Sequence, residues 1–250
     1  MHRDGYSPPS RGVLLAIMAG IVFVFAVANF WIYFARFLFA RDFPQMRETI
    51  IPTISGALSQ PEIGDPFAIW RSMTALVLFV SVAGVIWTLA RALPRASASL
   101  RGLFIAIVGM QAVACAGKVV LSHYTLPVYR DAHMAGSYMF FVAQTLTVIL
   151  VLALSIMLAR PGGPGDTAAA RAALDPWANR LRIRAGYVII AMMVTYLALF
   201  VGKDLVSEAV RPAVIVVYVN LESFCITAFL LYMASFLIDL HRNTQAARGL

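Results

Sequence analysis

The chain has 250 residues, 61% of them hydrophobic and 13% charged, with a mean hydropathy of +0.80, values that exclude an ordinary soluble globular domain. A net charge of +8 raises the question of nucleic acid. No basic stripe with interleaved aromatics lies outside the hydrophobic blocks, so nucleic acid is excluded as a partner. The surplus arginine falls in short loops, where it sets topology and meets anionic lipid.

The apolar residues form six separated blocks of roughly 20 residues or more, the length needed to cross a hydrocarbon core about 30 Å thick. A polar tail leads into a first span over about 13–39. Loop 40–66 carries Pro44, Pro52, Pro61 and Pro66 and ends on Asp65-Pro66, which reads as a capping carboxylate followed by proline at the first helical position. The second span covers about 67–93 and stops at Pro94, and the third covers about 102–121. The next loop holds His123, and Asp131 is placed to cap a fourth span over about 133–159. Loop 160–184 opens with Pro161-Gly162-Gly163-Pro164-Gly165 and ends in Arg180, Arg182 and Arg184. It reads as a flexible linker and a short amphipathic approach to the membrane. Spans five and six cover about 185–201 and 212–240. There is no second domain and no short-period repeat. The expectation is a single all-α, polytopic domain.

Twelve basic residues lie on the side of the two termini: Arg3, Arg11, Arg91, Arg95, Arg101, Arg160, Arg171, Arg180, Arg182, Arg184, Arg242 and Arg248. Five lie opposite: Arg41, Arg47, Arg130, Lys203 and Arg211. The positive-inside rule therefore puts both termini in the cytoplasm. Cys115 and Cys225 fall inside spans and read as packed thiols, implying neither a disulfide nor a zinc site.

Arg36, Arg71, Lys118, His133 and Glu222 lie within or at the edge of spans. There an ionised group costs roughly 2.5–3.5 kcal/mol on insertion scales and usually faces a partner or a wet cavity. All five sit in the half opposite the termini, which argues for one polar cavity opening to the lumen or exterior. Glu222 is about 15 Å past Pro212, close to the midplane. Blander readings stand beside this: Arg36, Arg71 and Lys118 snorkel to the interface, His133 caps a helix, and Glu222 makes a packing ion pair. Asp239 and His241 read as solvated. No motif for a metal, a nucleotide or a serine-hydrolase elbow occurs, and no cofactor is implied.

Three segments carry a family resemblance. The first is Ile51-Pro52-Thr53-Ile54-Ser55-Gly56-Ala57, followed by Trp70-Arg71. The second is His133 with Ala135 and Phe140-Phe141. The third is Leu221-Glu222 with Phe229 and Tyr232. In this order they resemble the DRAM/Frag/Sfk family of six-span membrane proteins, and most closely its branch that remodels the lipid of GPI anchors. One departure is that no acidic residue or Asn directly follows His133; Asp131 precedes it.

The resemblance implies lipid handling, with a membrane lipid or lipid-anchored substrate and room for a membrane-protein partner. The implied membrane is Golgi or ER in a eukaryote and the inner membrane in a bacterium. In an acyl-transfer enzyme of this kind His133 would be the general base on a lipid hydroxyl, and Glu222 would orient or charge-balance it. Arg71 and Lys118 would hold a head-group phosphate, with Ser55, Trp70, His123 and Asp131 completing the substrate contacts. A non-catalytic lipid-binding or regulatory membrane protein, and a transporter or channel with Glu222 as its proton or cation site, are the alternatives.

Overall fold

The computed structural model describes residues 7–46, 53–93 and 97–248. Of the positions singled out above, Arg3, Arg47, Ile51, Pro52, Pro94 and Arg95 lie outside the described residues. Among the described residues the α-helices are α1 (Arg11–Asp42), α2 (Ile54–Ala57), α3 (Pro61–Ala92), α4 (Ala98–His123), α5 (Arg130–Ala159), α6 (Ala168–Ala173), α7 (Pro176–Gly202), α8 (Arg211–Ala234) and α9 (Phe236–Ala246). Helices α1, α3, α4, α5, α7 and the α8–α9 run are each long and apolar enough to cross a bilayer. The chain is an all-α, polytopic membrane protein.

Each span buries one seam and leaves the rest of its apolar surface outward. On α1 the buried positions are Leu14, Ile17, Ile21, Val24, Ala28, Ile32, Ala35 and Phe39, each three or four residues from the last. That spacing keeps one stripe on the helix axis. The residues between them are just as apolar yet exposed, Phe30 and Phe37 among them, and on other helices Leu76 and Ile105. Apolar side chains on every face suit a solvent of lipid tails.

Close approach and amide pairing hold the centre. Helices α4 and α5 meet where Gly117 faces Gly136. A Cβ on Gly117 would lie 2.5 Å from the Phe140 nitrogen and 2.8 Å from the Gly136 oxygen. About two turns further in, buried Gln111 and Gln144 exchange amide hydrogen bonds at 3.2 and 3.5 Å. Replacing Gln111 alone by Leu strands the Gln144 amide and is expected to cost about 1–2 kcal/mol. Replacing both by Leu is expected to cost less than the sum, because no polar group is then orphaned. Unfolding of the three variants in detergent checks this. Helix α1 meets α8 through a polar ladder: Thr227 donates to Asn29 Oδ1 at 2.6 Å, and Arg36 donates to Ser223 Oγ at 3.1 Å.

Several helices begin earlier than their apolar runs. Helix α3 starts at Pro61, not at the Asp65-Pro66 pair, and Pro66 lies inside it. The expected Asp65 cap is therefore corrected. Pro66 has no N–H, so the helix loses only the bond to the Glu62 carbonyl, near its start. Asp131 likewise does not cap α5: the helix starts at Arg130 after Tyr129, and the exposed Asp131 lies in its first turn, facing the helix dipole favourably.

Loop 160–184 departs most from expectation. Helix α7 begins at Pro176, with Asp175 Oδ1 accepting from the Trp177 and Ala178 N–H groups at 2.9 and 3.0 Å. Helix α6 docks on α9, where Asn243 Nδ2 donates to the Ala173 carbonyl at 2.8 Å. In place of the expected flexible linker, the segment is largely helical and packs on α5 and α9. Arg182, counted above as a loop charge, is only 1% exposed and pairs with Asp239 at 2.6 Å. Asp239 is therefore buried, contrary to the solvated reading, while His241 is exposed as expected. The half of the bundle near the termini does contain a buried charge pair.

Between α7 and α8, Asp204 accepts from Lys203 Nζ at 2.8 Å and Arg211 Nη2 at 3.3 Å. The Lys203 hydrogen bond, aided by the charge of both cations, holds the Asp204 carboxyl below the usual carboxylate range.

Candidate functional site

The structure arranges the ionisable span residues in two adjoining groups. The first is a cation pair in the middle of the bundle. Arg71 lies ten residues into α3, about 15 Å from its start, and Lys118 lies near the end of α4. Both are 2% exposed, so neither snorkels. They line a cavity of about 10 Å³ with Gln144, Phe140, Phe229 and Met233 among its walls, room for about one water.

Lys118 Nζ donates to Thr74 Oγ1 at 2.8 Å. The Arg71 guanidinium rests 5.3 Å from the centroid of the Phe67 ring and 5.6 Å from that of Phe140. Its Nε and Nη1 are buried with no acceptor. Among the described residues neither cation has a carboxylate at ion-pair distance. Glu222 instead accepts from the backbone of the neighbouring α2 turn, and Arg36 donates to Ser223, so the one carboxylate of this region is engaged elsewhere. A buried guanidinium donor without an acceptor, beside a second basic side chain, is an arrangement able to take an anion.

The second group is built on the short helix α2. Thr53 caps it by accepting from the Gly56 N–H at 2.9 Å, and the Glu222 carboxylate accepts from the Ile54 N–H at 3.1 Å. Pinned at both points, the turn presents Ser55, with Gly56 and Ala57 adding little bulk beside it. His133, in the first turn of α5, reaches Ser55 Oγ with Nε2 at 3.0 Å and the Tyr124 carbonyl with Nδ1 at 2.8 Å. A carbonyl only accepts, so Nδ1 carries the proton. Nε2 then holds the free lone pair and Ser55 Oγ–H is the donor. Glu222 reaches this pair only through the turn it anchors.

The remaining candidates lie elsewhere. His123 Nε2 bonds Ser72 Oγ at 2.8 Å, beside a groove of about 290 Å³ that also takes in Asp65 and Ser122. Trp70 stacks on Trp31 with centroids 6.3 Å apart. Asp131 points outward and makes no hydrogen bond among the described residues. The single wet pocket expected from the sequence is thus a narrow, mostly apolar cavity next to a serine–histidine turn. Sequence reasoning passed over Thr74, Gln144 and the Asn29–Thr227 pair; the available signal was a lone polar side chain within an apolar run.

Fold and site together define a multi-pass membrane protein with two basic side chains buried at its centre. No family model, no curated protein and no solved structure matches this chain.

Proposed function

We propose that this protein binds a phosphate-bearing membrane lipid by its head group and acts on the lipid's fatty chains, as the GPI-anchor remodelling branch of the DRAM/Frag/Sfk family does. The observation that carries the reading is the Arg71–Lys118 pair, buried side by side without a carboxylate. Two cations in a low-dielectric interior repel each other, and a phosphate between them removes both that repulsion and the unmet donors of Arg71. The half opposite the termini faces the lumen or exterior by the distribution of arginine. The membrane is Golgi or ER in a eukaryote and the inner membrane in a bacterium.

A charge-assisted hydrogen bond is worth about 1.5–3 kcal/mol, so Arg71→Gln or Lys118→Gln is expected to weaken retention of anionic phospholipid roughly 10- to 100-fold. Mass spectrometry of lipid carried through purification, wild type against each variant, measures this. Equal retention of anionic and zwitterionic lipid by the wild type would remove the basis of the reading.

A cavity of about 10 Å³ admits no phosphate until the helices part, and that opening is needed whether the bound lipid is then turned over or only held. Incubation with an acyl donor and a lyso-lipid separates the two, since only the catalytic reading gives a re-acylated product.

A further inference from the structure

We infer that Ser55 is a nucleophile, activated by His133, that carries a fatty acyl group in transit from one lipid to another. The inference rests on the lipid reading for its substrate but on separate geometry for its chemistry. A serine hydroxyl is a weak nucleophile until an adjacent base takes its proton, and the base works best when a third group fixes its orientation. Here the base is His133 Nε2, 3.0 Å from Ser55 Oγ. The third group is the Tyr124 carbonyl, which binds Nδ1–H at 2.8 Å and forces the tautomer that leaves Nε2 bare. A histidine that only fastened α5 to the preceding loop would need the Nδ1 bond alone.

Placement supports the same role. Ser55 is half-buried, on a turn held rigid by Thr53 and Glu222, while His133 is 2% exposed and screened from competing water. Rigid support of the reacting group is what a near-attack geometry requires. Glu222 is a positioning residue: it acts on Ser55 through the Ile54 N–H.

In the first half-reaction Ser55 Oγ attacks the ester carbonyl of a donor phospholipid and its proton passes to Nε2. The tetrahedral adduct then collapses with cleavage of the bond from the carbonyl carbon to the glycerol oxygen. The imidazolium returns the proton to that oxygen, giving a lyso-lipid and an acyl ester on Ser55. In the second half an acceptor hydroxyl, from a lyso-lipid, attacks the Ser55 ester and gives its proton to Nε2. The acyl chain leaves on the acceptor, and Ser55 Oγ takes the proton back. No oxidant, reductant or metal enters the balance.

The test uses the full chain in lipid nanodiscs with two readouts. A fluorophosphonate probe, followed by peptide mass spectrometry, reports an activated serine independently of any lipid. Transfer of a fluorescent acyl chain from phosphatidylcholine to a lyso-phospholipid reports turnover. Labelling is expected on the Ser55 peptide, lost in Ser55→Ala, at least 100-fold slower in His133→Ala, and unchanged in His241→Ala at the far end of the molecule. Transfer is expected to fall at least 100-fold in Ser55→Ala.

Glu222→Gln keeps an oxygen for the Ile54 N–H and is expected to label within a few-fold of wild type, whereas Glu222→Leu is expected to lose most labelling. Because His133 also ties two loops together, Ser55→Cys is the second variant. Its thiol is expected to react with a small alkylating agent far faster than the buried Cys115 and Cys225.

Wild-type protein whose Ser55 takes no probe, or a Ser55→Ala protein that transfers acyl chains at the wild-type rate, overturns the proposal. In either case selective retention of anionic lipid by Arg71 and Lys118 would leave the lipid reading in place. Labelling of Ser55 in a protein that retains no anionic lipid would do the reverse.

Discussion

Replacing Arg182 by alanine is expected to destabilise the protein by about 3–5 kcal/mol, the cost of stranding a buried charge. In unfolding experiments on detergent-solubilised protein this is a fall in Tm on the order of 10 °C. The guanidinium and the Asp239 carboxylate are 1% and 4% exposed and lie 2.6 Å apart. The contact is a close ion pair rather than a well-angled hydrogen bond, because Asp239 Oδ2 has no properly directed donor. Without Arg182 the carboxylate keeps only the Asp175 N–H, 2.7 Å from Oδ1. The substitution also removes a bond to the Ser235 carbonyl at 3.3 Å and the cover over the Phe236 ring, whose centroid is 4.3 Å from the guanidinium carbon. These contacts tie α7 to the point where α8 gives way to α9.

Asp239→Asn is expected to cost less, since the amide oxygen still accepts from Asp175. The double replacement Arg182→Met with Asp239→Leu is expected to recover most of the loss, because an apolar pair of similar volume carries no desolvation penalty. A single Arg182→Ala variant as stable as wild type would mean that the pair is hydrated rather than buried.

The same pair shows where reading from the sequence stopped. The six spans were legible because apolar runs of bilayer length are rare outside membranes, and the flanking charges marked their ends. What a hydropathy run does not show is a polar helical turn beyond it. Asp175-Pro176 is as good a cap and first position as any in the chain, yet Arg180, Arg182 and Arg184 made the following segment look like a loop. Nine residues of α7 were therefore missed, and with them the one arginine of the three that turns inward. Its partner, Asp239, is 57 positions away, a separation no periodicity encodes.

The candidate site divides along the same line. Arg71, Lys118, His133 and Glu222 stood out because each is expensive in hydrocarbon, and Ser55 entered only through the family resemblance. Which of them touch was not readable. Glu222 was expected beside His133 and instead holds the backbone of the turn that presents Ser55. Trp70, His123 and Asp131 share the right end of the molecule without sharing the cavity. Depth along a helix comes from counting residues; azimuth, in a helix apolar on every face, does not.

The second large effect is expected at Gly117, where Gly117→Ala should cost about 1–3 kcal/mol and Gly117→Ile more. The new Cβ would meet backbone, not a side chain able to swing away. The Phe140 nitrogen is at 2.5 Å, the Gly136 oxygen at 2.8 Å, and a Cβ on Gly136 would in turn lie 2.6 Å from the Leu121 nitrogen. Relief requires α4 and α5 to separate, which lengthens the Gln111–Gln144 bonds and opens the cavity that Lys118 shares with Phe140 and Gln144. Loss of anionic-lipid retention should therefore accompany loss of stability.

Gly109 is the control. It lies two turns earlier on the same helix, a Cβ there meets nothing within 4 Å, and glycine inside a helix costs about 0.5–1 kcal/mol relative to alanine. Gly109→Ala should accordingly stabilise the protein by about that amount. One substitution, made twice on one helix, is thus expected to change stability in opposite directions. Equal tolerance at both positions, read from the same unfolding curves, would mean that the backbones of α4 and α5 do not meet at Gly117 and that the buried cation pair is not held where the packing of these helices puts it.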